Sequence, residues 1–447
     1  MTKDMTEGNA LGLILRFALP LLVGNLLQQT YNMIDAAIVG RFLGTQALAG
    51  VGATSSVQFL VLGFCTGLCS GFGVPVARDF GANQFGRMRK DIFHGALLTA
   101  VIAVILTTGC VLLCPWILKM LSVTEDIYGN ARIYILIIFL GLPFTLLYNF
   151  LSSILRAVGD SRTPFLAFSA CLNVVLDLIC IIVFKWGCAG AAFATITAQA
   201  ISGLCCLIFI IKKVQILHPK RKDCHLQPVY VKEMLVMGLP MGLQFSITAI
   251  GTIIVQGAVN IYGSVYMAGF SAAGKIQNII ATVFVAFGAT MATYVGQNRG
   301  AGKMDRVKAG MKYTQIMVLI WSVITMIIMF FFGKYMTWLF IDKSQTDVIN
   351  VSVTYFHTVF WAYPFLGSIF LYRNGLQGLG YGLVPMLGGV FELAARSAIV
   401  MFIAGKTSFA GVCLADPAAW IAALIPLIPY YIYVMKKWSR GKKETAA

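Results

Sequence analysis

The sequence predicts an all-α polytopic membrane protein of twelve transmembrane helices in two pseudo-symmetric six-helix lobes. Three observations carry that reading. Of the 447 residues, 59% are hydrophobic and 11% charged, whereas soluble domains carry about 25% charged residues. The apolar stretches run about 20 residues each, the length a helix needs to cross roughly 30 Å of hydrocarbon. Motifs of the first half also recur in the second at a nearly constant displacement.

The apolar stretches lie near 14–39, 47–76, 92–114, 132–155, 164–185, 190–211, 233–259, 265–295, 313–332, 351–372, 385–404 and 415–435, bounded by charged or Gly/Pro/Asn-rich turns. Residues 1–10 are polar and no small-residue cleavage site follows, so the first stretch is expected to be a retained helix rather than a signal peptide. An even number of spans puts both termini on one side. That side holds 25 of the 34 Lys and Arg, including Arg87, Arg89, Lys90, the run from Lys212 to Lys232 and the tail after Lys436. The positive-inside rule makes it the cytoplasm.

The net charge of +17 is spread over short loops rather than one face of a soluble module, which argues against nucleic acid as a partner. The eleven cysteines fall almost entirely within apolar stretches, where they act as small hydrophobes. No histidines at ligand spacing accompany them, so neither a disulfide nor a bound metal is expected there.

The longest polar stretch, 212–232, separates six spans from six and reads as a cytoplasmic linker between a lobe over 1–211 and a lobe over 233–435, with a basic tail at 436–447. Leu19-Pro20 corresponds to Leu239-Pro240, Gly81-Ala82 and Arg87 to Gly300-Ala301 and Arg306, Ala49-Gly50 to Ala268-Gly269, Val57-Gln58 to Ile276-Gln277, and the loop from Gly159 to Pro164 to that from Gly380 to Pro385. Six spans per half give parallel repeats related by an axis along the membrane normal, the architecture of a transporter. A channel or a duplicated scaffold would share the repeat.

A carboxylate at the bilayer centre costs at least about 2.5–3.5 kcal/mol, so each one within a span is a candidate functional group. Asp35, Asp177 and Glu392 are such acids. Tyr31 and Asp35, like Asn173 and Asp177, are four residues apart and share a helix face. Each face can take a proton or offer oxygen ligands to a hard cation such as Na⁺. Hydrogen-bonding glue between helices is the plainer alternative, but two acids, each with an amide or phenol one turn away, exceed what packing requires. In the second half the counterparts of Asn173 and Asp177 are Glu392 and Arg396. This pair can neutralise itself and reads as a structural or gating salt bridge. Lys275 and Arg396 are the basic residues within spans; Lys275 can snorkel or pair with an acid, and His94 and His357 read as packing groups.

Leu19-Pro20, Asn32-Met33-Ile34-Asp35, Gly81-Ala82-Asn83, Ala157-Val158-Gly159-Asp160 and the Asn173/Asp177 pair, in that order within two six-span halves, resemble the multidrug and toxic compound extrusion (MATE) family, and most nearly its DinF-like bacterial branch. The resemblance covers nearly the whole chain. It implies a cation site at Tyr31, Asp35, Asn173, Asp177 and Thr195, with Na⁺ or H⁺ as the coupling ion and no other cofactor, and it implies that Pro20 kinks the first helix as Asp35 changes protonation. The NorM-like branch uses a glutamate early in span seven and an aspartate in span ten; here Gln244 takes the first place, and no acid lies between Val351 and Tyr372. Coupling is therefore expected in the amino-terminal lobe alone.

The expected function is antiport, not enzymatic: export of small organic compounds, cationic or amphiphilic, in exchange for H⁺ or Na⁺ by alternating access, by a monomer in the bilayer of a bacterial inner membrane. Gln58, Gln256, Gln277 and Lys275 are weaker candidates for groups lining the central cleft. A flippase for a lipid-linked precursor would call for a more cationic cleft. An intramembrane aspartyl protease lacks support, since the only Gly-Asp, Gly159-Asp160, lies in a cytoplasmic loop.

Overall fold

The computed structural model describes residues 3–121, 123–162, 166–403 and 408–444, and every regular element among them is helical. The first three helices, α1 (Ala10–Leu43), α2 (Thr45–Gly81) and α3 (Phe85–Met120), are single long spans. The fourth passage is split into α4 (Glu125–Leu140) and α5 (Leu142–Ala157), bent by 48° where the sequence predicted one span. Pro143 in the first turn of α5 cannot donate to the ladder of α4, which accounts for the break. The fifth passage is α6 (Leu166–Leu178) ending in a π-helical turn, Ile179–Val183, and the sixth is α7 (Gly187–Lys213).

The second half repeats the plan. Its long spans are α8 (Pro228–Asn260) and α9 (Ser264–Gly300). The ninth passage is α10 (Met304–Ile327), a π-helical turn and α11 (Gly333–Thr337). The tenth joins α12 (Thr346–Val359) to α13 (Tyr363–Gly378) through a 3₁₀ turn, and α14 (Leu383–Ile403), α15 (Phe409–Cys413) and α16 (Ala415–Glu444) complete the twelve. Leu112 on α3 and Phe402 on α14 are 73% and 74% exposed. Apolar surface presented on that scale suits lipid as the solvent.

The repeat extends to the backbone. Left-handed φ angles occur at Gly44 (85°) and Gly263 (98°), at Asn83 (55°) and Gly302 (71°), and at Gly159 (86°) and Gly380 (76°), each pair at corresponding positions of the halves. Each sits in a tight turn between spans, where only Gly, or Asn at some cost, adopts such a conformation readily. Packing repeats too: α2 lies against α4 and α5, and α9 against α12 and α13. A Cβ at Gly50 would meet Asn130, and one at Gly269 would meet Val351, so both helices approach their neighbours through glycine.

The chain forms two compact units, 3–4 with Leu19–Gly242 and Met5–Ala18 with Leu243 onward. The exchange falls inside α1 and α8, beside Pro20 and Pro240, rather than at the expected linker. Neither proline can donate to the carbonyl four residues back, so each helix lacks a ladder bond at the crossing. The segment expected as the inter-lobe linker contains short turns held to the first unit, with Arg89 Nε donating to Asp223 Oδ2 at 2.8 Å. Pro164, at the end of one repeated loop, and residues 445–447 of the basic tail lie outside the described residues.

Candidate ion-coupling site

Within the first unit, α1, α6 and α7 bring the five expected residues together. Asp177 and Asn173 are buried on one face of α6, one turn apart, and the π turn begins two residues beyond Asp177. With its amide nitrogen turned toward the carboxylate, Asn173 donates to Asp177 Oδ2 at 2.9 Å and sets its oxygen 3.2 Å from Thr195 Oγ1. Thr195 is fixed on α7 by donating its hydroxyl to Ala191 O at 3.1 Å. Asp35, on α1, lies within hydrogen-bonding reach of Asp177. Two carboxyl groups can share such a bond only when a proton sits between them. Oδ1 of Asp35 and Oδ1 of Asp177 are buried and accept no hydrogen bond from the protein. Tyr31, one turn before Asp35, lies near both acids and beside Gln28.

The site reaches further than the sequence indicated. Tyr134 of α4 is buried beside Asp35, Tyr31, Asp177 and Gln58 of α2, whose Nε2 donates to Thr54 Oγ1 at 2.9 Å. Tyr134 lies near the start of its apolar stretch, where Asn130, one turn before it, reads as part of the bounding turn. Gln58, expected only as a weak cleft-lining group, belongs to this cluster. Every heteroatom in the set is an oxygen or an amide, and no guanidinium or ammonium group pairs with either acid among the described residues.

The second unit is different. Glu392 Oε1 is 2.8 Å from Arg373 Nη2, and Arg396 Nη2 is 3.2 Å from Asp416 Oδ1. Glu392 and Arg396 themselves approach only to 4.0 Å. The self-neutralising pair expected from their spacing is therefore the middle of a buried run of four alternating charges. Arg373 and Asp416 were missed because each stands at the edge of its apolar stretch: Arg373 falls inside α13 and Asp416 in the first turn of α16. Thr248 Oγ1 adds a bond to Glu392 Oε2 at 3.4 Å, and Tyr355 donates to Asp416 Oδ2 at 2.7 Å while its hydroxyl also touches Gln277.

A family model, MatE, matches residues 20–179 and again 240–403, once in each half. The probable multidrug resistance protein YpnP of Bacillus subtilis is 31% identical over 84% of this chain and 84% of its own. The chain belongs to the MATE family. It is a multi-span membrane transporter that exports compounds, and not an enzyme. The probable multidrug resistance protein YoeA of the same organism is 25% identical to this MATE transporter over 94% of its length and 93% of the relative. A solved structure described as the outward-facing conformation of a multidrug resistance MATE family transporter of the MOP superfamily superposes with a TM-score of 0.91 at 19% identity, covering 97% of this chain and 98% of that one. The likeness gives this MATE chain the twelve-helix, two-lobe fold.

The remaining expected residues of this MATE transporter make other contacts. Gln256 Nε2 donates to Asn260 Oδ1 at 3.0 Å, near the end of α8. The Lys275 ammonium lies over the Phe340 ring, 5.5 Å from its centroid, rather than against a carboxylate. His94 and His357 each bond a backbone carbonyl through one ring nitrogen, Lys90 O at 2.7 Å and Phe330 O at 3.1 Å.

Proposed function

We propose that this transporter is an antiporter that exports small organic cations or amphiphiles in exchange for protons taken up at Asp35 and Asp177. The observation that carries the reading is the contact between those two buried carboxyl groups with no cationic partner. Such a pair binds a proton between the two acids and releases it when a helix shift separates them. Asn173 holds Asp177 in place, Thr195 fixes the amide, and Tyr31 with Tyr134 shields the pair. The five-residue pattern is similar to that of the DinF-like branch. Pro20 supports a coupled bend of α1, since the missing ladder bond lets the segment bearing Asp35 move relative to the segment before the proline.

Na⁺ could be held by the same oxygens. Protons are favoured because the two carboxyls lie within hydrogen-bonding reach of each other, an approach that one shared proton accounts for without a further ligand. In the second lobe Arg373 and Arg396 each have an acid partner and are not free to meet a lipid-linked phosphate. The excess of Lys and Arg in the 82–90 and 212–232 segments supports an inner-membrane orientation with both termini cytoplasmic, and the protein acts as a monomer. The test is reconstitution in liposomes with efflux of organic cations measured under an imposed pH gradient and then a Na⁺ gradient. Transport driven by the pH gradient alone supports the proposal; transport driven only by Na⁺ would refute proton coupling, and none under either would refute antiport of this substrate class.

A further inference from the structure

The end of the first lobe that bears the 82–84 turn holds a second set of acids: Asp79 in the last turn of α2, Asp91 in the second turn of α3 and Glu233 in the second turn of α8. Two guanidiniums serve two of them. Arg78 Nε donates to Asp79 Oδ1 at 2.8 Å and its Nη1 bonds Glu233 Oε1; Arg87 lies 3.3 Å from Asp79 Oδ2 and 3.5 Å from Glu233 Oε2. Asp91 has no exposed surface, and neither of its oxygens receives a hydrogen bond. Its carboxyl group lies beside that of Asp79, within hydrogen-bonding reach.

The other charged and titratable groups nearby are committed elsewhere. Lys90 lies over the Tyr230 ring, and Arg89 bonds Asp223. His94 holds Lys90 O with Nδ1 and accepts the Gln227 N–H at Nε2, 2.9 Å. Arg156 on α5 faces Tyr148, Cys69 and Cys206. Three carboxyls against two guanidiniums leave one negative charge uncompensated, beside a buried acid that has no donor. A single proton resolves both, whereas a metal ion would have to sit against Arg78 and Arg87.

We propose that Asp79 and Asp91 form a second proton-binding site, at the cytoplasmic end of the first lobe, with one proton shared between the two carboxyls. The second lobe shows that the acids are not needed to build this end. The counterparts of Arg78, Asp79 and Asp91 there are Gln297, Asn298 and Gly310, while Arg306 keeps the place of Arg87. Arg306 Nε donates to Asn298 Oδ1 at 3.0 Å, and Asn298 Nδ2 donates to Met5 O at 3.2 Å. Neutral amides therefore do the same joining, and the acids in the first lobe serve something beyond it. Loss of the shared proton would place a net negative charge beside Glu233 and loosen the grip on the first turns of α8, so the site is placed to sense cytoplasmic pH.

The test is infrared spectroscopy of the full-length protein in liposomes at neutral pH, following the C=O band of buried protonated carboxyl. Asp91→Asn and Asp79→Asn should each remove the same one-proton band, because either leaves two acids balanced by two guanidiniums. The double variant should lose no more than a single one, and Asp35→Asn should keep this band, which separates the site from the coupling pair. A band that persists in either single variant overturns the proposal. If Asp91→Asn does not fold, Asp79→Asn decides alone, since an asparagine already occupies the matching place in the second lobe.

Discussion

Asp35→Asn is the substitution on which the coupling mechanism rests, and its effect can be counted. The amide fills the volume of the carboxyl but takes up no proton. On the proposed mechanism Asp35 and Asp177, within hydrogen-bonding reach of each other, share one proton, and Asn173 and Thr195 add no charge. A cycle that fills and empties the pair therefore carries one proton, or two if both carboxyls are protonated in the filled state. A tenfold proton gradient is worth about 1.4 kcal/mol per proton, so one proton per cycle sustains about a tenfold substrate ratio for each unit of pH difference, and two about a hundredfold. Asp35→Asn should bring that ratio to unity. The assay is the steady-state distribution of a fluorescent organic substrate in proteoliposomes with an imposed pH difference and the membrane potential clamped, compared at equal protein content. Exchange of labelled substrate without a gradient confirms that the variant is folded and inserted. A variant that sustains the wild-type ratio would refute the reasoning, and the wild-type slope reports how many protons move.

Further outcomes follow from particular contacts. Asn173→Ala leaves Asp177 Oδ2 without its amide donor; the loss of a buried partner costs about 1–3 kcal/mol, readable as a lower unfolding temperature in detergent together with weakened coupling. Arg373→Met strands Glu392 in the second lobe and should destabilise by about 3–5 kcal/mol, while adding Glu392→Leu should restore much of the loss; a double variant no better than the single would argue against a charge effect. A Cβ at Gly71 would stand 2.6 Å from Gly238 Cα. Gly71→Ala should therefore cost about 1–3 kcal/mol in unfolding experiments, whereas Gly129→Ala, where a Cβ meets nothing, should gain up to about 1 kcal/mol. Burial pushes the Asp223 carboxyl up, but hydrogen bonds from Arg89 and the Lys220 N–H, with the charges of Arg89 and Lys222, hold it below the usual carboxylate range. Its contribution is thus complete at neutral pH and is lost as the pH falls through that lowered value; amide exchange in 221–227 should quicken on acidification, and in Asp223→Asn it should be fast already at neutral pH.

Length of apolar run, loop charge and the repeat displacement were enough to place all twelve passages, because bilayer thickness dictates the first and translocation the second. The breaks inside passages were not legible. Pro143 sits within a run that reads as continuous, and the π turns after Asp177 and Ile327 leave no compositional trace. Tyr31, Asp35, Asn173 and Asp177 stood out because a polar pair four residues apart in an apolar run is conspicuous. Arg373, Asp416, Asp79 and Asp91 did not, because a charge near the end of a span reads the same whether it meets water or is folded inward. Only tertiary contacts separate those two states, and here they place all four inside.

The halves keep one backbone plan while their electrostatics diverge. Left-handed turns and glycine contacts recur at the repeat displacement, as they must if both halves are to fold the same way. The charges do not recur. Asn173 and Asp177 become Glu392 and Arg396, and Asp79 and Asp91 become Asn298 and Gly310. In the second lobe each buried acid of the run lies against a guanidinium and has no use for a mobile cation. In the first lobe Asp35, Asp177 and Asp91 have no such partner, and only a proton or a bound cation can offset the cost of burying them. On the proposed mechanism the lobe that leaves its acids unpaired is the one that responds to the ion gradient, and the lobe that pairs them serves as the stiffer half.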